Sequence, residues 1–366
     1  MRRRQQSRRG QNDSVVRQDS SFIIVQSFEN SRYLLEMAGY LHPNYVFSLR
    51  EFGTPVELPG SGGWLLERQI ADTGLKDAMG PYPLFCCRDW SSMLSDLRTF
   101  KGQYLTVSLV PDTFAQITPE ELSQFFQLVR PFKEHFIIDK HCLNDRHITR
   151  HHRYYAKRAL GEIKVNQAEP TEERLQEWIR LYSVLAKRHN LSAIQAFSNQ
   201  AFETQFQVPG LVILRASRQG KAIGMHLWYH QSDVVYSHLS ALDEEGYAFS
   251  AAYALYWHAI EVFKDFTEVR WIDLGAGAGM RDLKEDGLSR FKRGWATSTR
   301  TKYFCGHIAD LEAYRLLTGS DEVSTNYFPI YRDAELSGMQ NRPRKTPVSR
   351  VKAQPAAKAF RSHQFC

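Results

Sequence analysis

Apolar and polar positions alternate most regularly between residues 163 and 305. Leu175, Trp178, Ile179, Tyr182, Leu185, Ala186 and His189 recur at helical spacing, which predicts an amphipathic helix over Thr171–His189. The pattern predicts a strand at Ile163–Ala168 before it and a shorter helix at Ser198–Phe206 after it. Leu211–Ala216, Ala222–His230 and Val234–Leu242 read as three strands, turning at Gln219-Gly220 and at Gln231-Ser232-Asp233. An apolar helix from Tyr247 to Phe266 follows, then a strand at Val269–Leu274, a short helix around Phe291 and a strand at Ala296–Phe304. The predicted order is β-α-α-β-β-β-α-β-α-β.

The first third is less regular. Phe22–Gln26 reads as a strand and Ser31–Tyr40 as a short helix. Asn44–Pro83 is rich in breakers, with Pro59-Gly-Ser-Gly-Gly63 and Gly80-Pro-Tyr82-Pro83, and is expected to be loop. A strand at Tyr104–Val110, a helix at Pro119–Val129 and a strand at His135–Asp139 then give α/β character. Asp145–Leu160 is expected to be a basic helix, with Arg146, Arg150, Arg153 and Lys157 on one stripe. That stripe suits an anionic ligand and equally suits a solvated face.

Charge is concentrated at the ends. The net charge is +7, but residues 1–20 carry +4 and residues 341–366 carry +7, leaving about −4 between them. Both ends are polar, and the second is interrupted by proline, so disordered tails are expected, in loose contact with anionic surfaces at most. Five cysteines without C-x-x-C spacing indicate reduced thiols rather than a disulfide framework or zinc ribbon. Cys142, His147 and His151 are too few for a structural zinc site, so no metal is expected. Neither a secretory signal nor a membrane span is legible, and a cytoplasmic protein, at most peripheral at a membrane surface, is expected.

The most distinctive stretch is Glu268–Trp295, EVRWIDLGAGAGMRDLKEDGLSRFKRGW. Gly275, Gly277 and Gly279 behind a strand resemble the nucleotide fingerprint of S-adenosylmethionine methyltransferases. A doubly wound methyltransferase places that motif on its first strand and needs several βα units after it. Here fewer than a hundred residues follow. The second half of the stretch, G-L-x-x-F-K-x-G-W over Gly287–Trp295, resembles the C-terminal motif of the FemABX-like peptidoglycan aminoacyltransferases and their BioF2-like GNAT relatives. The element order agrees with a GNAT acyltransferase, and the resemblance covers residues 145–305. It implies an α/β (α+β) chain of two GNAT-like halves. The basic arm would span 1–20, a degenerate half 21–144, the acyltransferase domain 145–320, and an extension 321–366 that turns disordered and basic from about 340.

The resemblance implies an N-acyltransferase that joins an acyl group from acyl-CoA, or an aminoacyl group from aminoacyl-tRNA, to an amine. The acceptor would be a cell-envelope precursor or polysaccharide. Lys292 would be a cation at the acyl or phosphate group of the reacting complex, with Asp273 pairing with it or orienting the substrate and Trp295 packing next to it. Hairpin register places Tyr236, His238 and Ser240 on one face, which makes His238 a candidate proton carrier or, more simply, a core histidine. Tyr82, Arg153 and Lys157 are the further candidates for the acceptor cleft. The donor's arm would lie along the backbone of Ser240, Ala241 and Leu242. Its phosphates would meet the helix start at Gly246 and Ala248, as the GNAT motif has them. Asp243-Glu244-Glu245 stands where that motif carries an amide or a base. A phosphate at about 4 Å would then meet repulsion on the order of 4 kcal/mol. Those acids keep open a reading as a GNAT-shaped module without catalysis.

Overall fold

The computed structural model describes residues 37–144, 147–191, 196–277, 286–319 and 327–332. The strand expected at Phe22–Gln26, both terminal tails, Arg146 and Gly279 lie outside them. In chain order, α1 (Pro43–Phe47) leads into β1 (Thr54–Glu57), β2 (Trp64–Gln69) and β3 (Lys76–Met79). Then come α2 (Met93–Thr99), β4 (Thr106–Leu109), α3 (Pro119–Phe125) and the long β5 (Leu128–Asp139). Next are α4 (Arg150–Leu160), β6 (Lys164–Ala168), α5 (Glu172–His189), α6 (Asn199–Gln205), β7 (Leu211–Arg218), β8 (Lys221–Gln231) and β9 (Val234–Leu242). The order closes with α7 (Glu244–Ala248), α8 (Ala251–Lys264), β10 (Trp271–Ala276), α9 (Gly287–Arg293), β11 (Ser298–Ile308) and α10 (Leu311–Thr318).

Local chemistry explains the boundaries. Thr171 caps α5 by accepting the Arg174 N–H, Asn190 ends it in the left-handed region, and Lys187, Arg188 and His189 sit at its negative end. Its inner face buries Leu175, Trp178, Tyr182 and Leu185 of the predicted stripe together with Leu181, which the spacing left out, while Ile179, Ala186 and His189 are half-buried. The stretch expected to be loop up to Pro83 instead contains α1 and the three strands β1–β3. Its Gly60–Gly63 cluster is the turn between β1 and β2, closed by hydrogen bonds between Leu58 and Gly63 and between Gly62 and Leu58. The apolar helix expected over Tyr247–Phe266 is two helices, because Ser250 takes a positive φ of 58° and interrupts the ladder. Val129 belongs to β5 rather than to the preceding helix, since α3 stops at Phe125.

All eleven strands join one sheet in the order β1-β2-β3-β4-β11-β5-β10-β9-β8-β7-β6. That order is close to symmetric about its centre. Each half supplies three antiparallel strands and a fourth parallel to the third: β3 pairs with β4, and β9 with β10. The fifth strand of each half is exchanged. β5 lies against β10, β11 lies against β4, and β5 and β11 pair along the seam from Leu128 to Ile137. The chain is therefore two GNAT-like halves, the second carrying the additional β6, α5 and α6. Leu181, Trp178, Tyr182 and Tyr229 pack one face of the second half. Trp228, Leu255, Phe263 and Trp295 pack the other, while Phe85, Met93 and Val107 centre the first half. Among the described residues no helix is long and apolar enough to cross a membrane.

Candidate active site

The parallel ladder between β9 and β10 runs through Val234–Trp271, Val235–Ile272 and Tyr236–Asp273, and no pair continues it. Two irregularities lie where it stops. In β9, Trp228 pairs with Ser237 but Leu227 with Leu239, which leaves His238 as an extra residue. In β10, Asp273 pairs with Ile137 and Ala276 with His135, with Gly275 at a φ of 77° between them. Bulges of this kind re-aim side chains and end pairing. The strands part over a cavity of about 250 Å³ that also reaches the Gly80–Leu84 segment of the first half and the β5–β11 seam.

The short helix α9 delivers Lys292 to this cavity. Asp286 caps it through the Ser289 N–H, and its aromatic side chains point inward. Phe291 and Trp295 pack against Tyr256 and the ring of His152. His152 is fixed in turn by Thr149 Oγ1 at 2.7 Å and the Phe291 carbonyl at 2.8 Å. Gly294 is required because a Cβ there would lie 2.0 Å from the His152 ring. The aromatic half of the motif is thus a clamp, and Lys292 is its product. Lys292 is 5% exposed, and its Nζ donates to the Ala276 carbonyl at 2.8 Å. A Cβ at Gly275 would stand 3.1 Å from that ammonium.

Beside it the Asp273 carboxylate accepts the Gly275 N–H at 2.7 Å and contacts His135 Nδ1 at 2.8 Å. Burial alone would raise the Asp273 pKa, but His135, the nearby Lys302 ammonium and the Gly275 N–H hold it below the usual value. Burial pushes His135 down to about 4 against the pull of Asp273. Lys302 on β11 is 3% exposed and its pKa is lowered by burial, opposed by Asp273 and Asp112. Asp112 accepts from the Tyr236 hydroxyl at 2.8 Å, and desolvation raises it to about 6.

Of the residues singled out from the sequence, Lys292, Asp273, Tyr82, Tyr236 and His238 line the cavity together. His238 has both ring nitrogens engaged, Nδ1 with Tyr40 OH at 3.1 Å and Nε2 with Gln205 Oε1 at 3.2 Å. Burial pushes its pKa down to about 3, so it is held as a neutral ring. Ser240 departs from expectation: the extra residue at 238 turns it to the other face, opposite His226. Ala241 stays on the face of Leu239, while Leu242 joins the opposite core. Arg153 and Lys157 sit on α4, outside the cavity lining, and Trp295 is fully buried beneath α9.

The start of α7 departs from a phosphate cradle. Asp243 caps it and takes the Gly246 N–H at 3.0 Å, the amide expected to face the donor's phosphates. The acids are not a bare negative patch. Asp243 pairs with Arg180 at 3.1 Å and Glu245 with Arg218 at 3.1 Å, with Lys221 near both. Gly246 itself is pressed against Ile223, where a Cβ would lie 2.1 Å from the carbonyl oxygen. Ala248 ends this one-turn helix. The Gly246 N–H is thus already taken by Asp243. Among the described residues no group of three or more metal-ligating side chains is assembled.

Lys302 and Asp112 add charge at the site and His135 holds Asp273, and none of the three was singled out by motif reading. The available signal was alternation in β11, where Lys302, Phe304, Gly306 and Ile308 share a phase that buries most of its members.

The family profile described as acetyltransferase (GNAT) domain matches residues 144–294. No curated protein matches the sequence significantly. Among solved structures, similarity extends to the C-terminal domain of a putative lysylphosphatidylglycerol synthetase from Agrobacterium fabrum. The TM-score is 0.55 at 12% identity, covering 80% of this chain and 94% of that one. FemX gives a TM-score of 0.56 at 10% identity, covering 79% and 98%. L-PGS from Bacillus licheniformis gives 0.50 at 13% identity, covering 75% and 95%. Such identities speak to fold alone. The chain shares its fold with these structures, FemX among them. A doubly wound methyltransferase is set aside, because β10 lies between one parallel and one antiparallel neighbour.

Proposed function

We propose that the chain transfers an acyl or aminoacyl group to an amine in the cavity between β9 and β10. The observation that carries this reading is the end of the β9–β10 ladder at Tyr236–Asp273 with the buried Lys292 ammonium facing the gap. In the reaction the amine nitrogen bonds to the acyl carbon, and the C–O or C–S bond to the donor breaks. The amine proton leaves with the released oxygen or sulfur. Lys292 would oppose the negative charge that develops on the acyl oxygen, and its place is fixed before the donor arrives. Asp273, ionised and steadied by His135, would orient the acceptor amine. The capped start of α7 favours a donor whose phosphates lie elsewhere than in an ordinary acyl-CoA complex. The acceptor would be a cell-envelope precursor or polysaccharide bearing an amine.

Lys292→Met is the test. Removing one preorganised donor typically lowers turnover about 10²–10³-fold, while cooperative unfolding should survive because methionine fills a similar volume. Lys292→Arg should rescue poorly, since a planar fork does not replace a compact ammonium. Transfer at the wild-type rate in Lys292→Met would remove the reading.

A further inference from the structure

The cavity does not end at its charged groups. Past Lys302 it continues into the first half as an arm lined by Met79, Pro81, Leu109, Phe132, Phe304 and Phe328. Lys302, Phe304 and Gly306 share one phase of β11, and at about 3.4 Å per residue that row spans roughly 14 Å. Phe132 reaches the arm through an irregularity in β5. Lys302 pairs with Lys133 but Tyr303 with Pro131, which leaves Phe132 as an extra residue, and a bulge of this kind re-aims its side chain. The Phe132 ring then stands 6.0 Å from that of Phe304. Both rings are only half-buried, and Phe132 is packed into none of the apolar cores of the described residues. The cations nearby are engaged. Arg130 lies over the Phe304 ring at 5.3 Å, Lys133 over the Phe132 ring at 5.7 Å, and Arg68 pairs with Asp77 at 3.1 Å.

The far wall of the arm is fixed in place. Phe328 is 2% exposed and lies against Gly306, where a Cβ would stand 2.6 Å from its ring. Arg332 fastens the same segment by donating to the buried Asp77 carboxylate at 2.6 Å. Ring surface left facing an open cavity gains by being covered with hydrocarbon, whereas a polar group placed there would lose its water. Building on the acyl-transfer reading above, we infer that the arm binds a short apolar chain or ring carried by one of the two substrates. The reacting carbonyl or amine then lies by Lys292 and Asp273, and the hydrocarbon reaches past Lys302 toward Phe328, whose fixed ring limits its length.

The test measures dissociation constants on the full chain by titration calorimetry, with two series of probes. One runs from acetate through butanoate and hexanoate to octanoate, the other from ethylamine through butylamine and hexylamine to octylamine. In wild type, binding should tighten about fourfold per methylene in at least one series and level off once the arm is filled. A gain confined to the carboxylates would place the chain on the transferred acyl group, and one confined to the amines would place it on the acceptor. Phe132→Ala should weaken the hexyl or hexanoyl member about tenfold and leave the two-carbon member unchanged. Phe304→Leu serves as a second variant should the first disturb β5. No dependence on chain length in either series, or the same dependence in wild type and both variants, would overturn the proposal. Binding is read here without turnover, so an unchanged acyl-transfer rate in Lys292→Met would defeat the acyl-transfer reading while leaving this result standing.

Discussion

The histidines show how burial decides chemistry at the scale of one side chain. His238 and His135 are held neutral, with pKa values pushed down to about 3 and about 4 by burial. Between those values and the ordinary imidazole value of about 6.5 the folded protein binds fewer protons than the unfolded chain. Their contribution to stability is therefore complete above 6.5 and declines as the pH falls, by up to about 1.4 kcal/mol per pH unit for each group. Asp112 acts in the opposite sense. Raised to about 6 by desolvation, it stabilises the fold below the ordinary aspartate range, and that contribution is lost as pH rises through 6. Two histidines outweigh one aspartate, so the urea midpoint should fall from pH 6.5 to 4.5, and His238→Gln should flatten the fall. An unchanged slope in that variant would show that the ring is not buried in its neutral form. The sequence made Lys292 and Asp273 legible because they sit in one contiguous motif. Ser240 was misplaced because a one-residue bulge at His238 cannot be read from alternation, and it reverses every later side chain. His135 and Lys302 were hidden because they reach the site from strands far away in the chain.

At the scale of elements, α9 is the piece whose packing determines where Lys292 points. Its seat depends on Gly294, whose φ of −68° any residue could adopt. The constraint is contact, since a Cβ would lie 2.0 Å from the His152 ring. Gly294→Ala should therefore destabilise by about 1–3 kcal/mol through overpacking. Combined with His152→Ala it should cost less than the two single changes added together. Urea unfolding of the four proteins measures this, and a neutral Gly294→Ala would mean that α9 is not seated on His152. Helix periodicity was readable in α5 because its long apolar face is unbroken. The meander β1–β3 was read as loop because its strands are only four to six residues long and separated by glycine clusters. The helix break at Ser250 left no mark in the composition, because left-handed serine carries no compositional signal.

Over the whole molecule, exchange of β5 and β11 is what makes one site from two halves. It brings His135 and Lys133 on β5, and Lys302 on β11, to a cavity whose other wall is β9 and β10. Element order within the second half was legible from hydrophobic pattern. The exchange was not, because pairing between strands more than a hundred residues apart follows from packing both faces of a common sheet. The same assembly favours acyl transfer over methyl transfer, since the glycine-rich turn after β10 borders a splayed, mixed sheet rather than a parallel one. Thermal unfolding of the full chain with CoA thioesters, aminoacyl-tRNA and S-adenosylmethionine, each added separately, tests that account most directly. A ligand at a hundred times its dissociation constant stabilises by about 2.7 kcal/mol. The account predicts such a shift with an acyl or aminoacyl donor and none with S-adenosylmethionine; stabilisation by S-adenosylmethionine alone would contradict it.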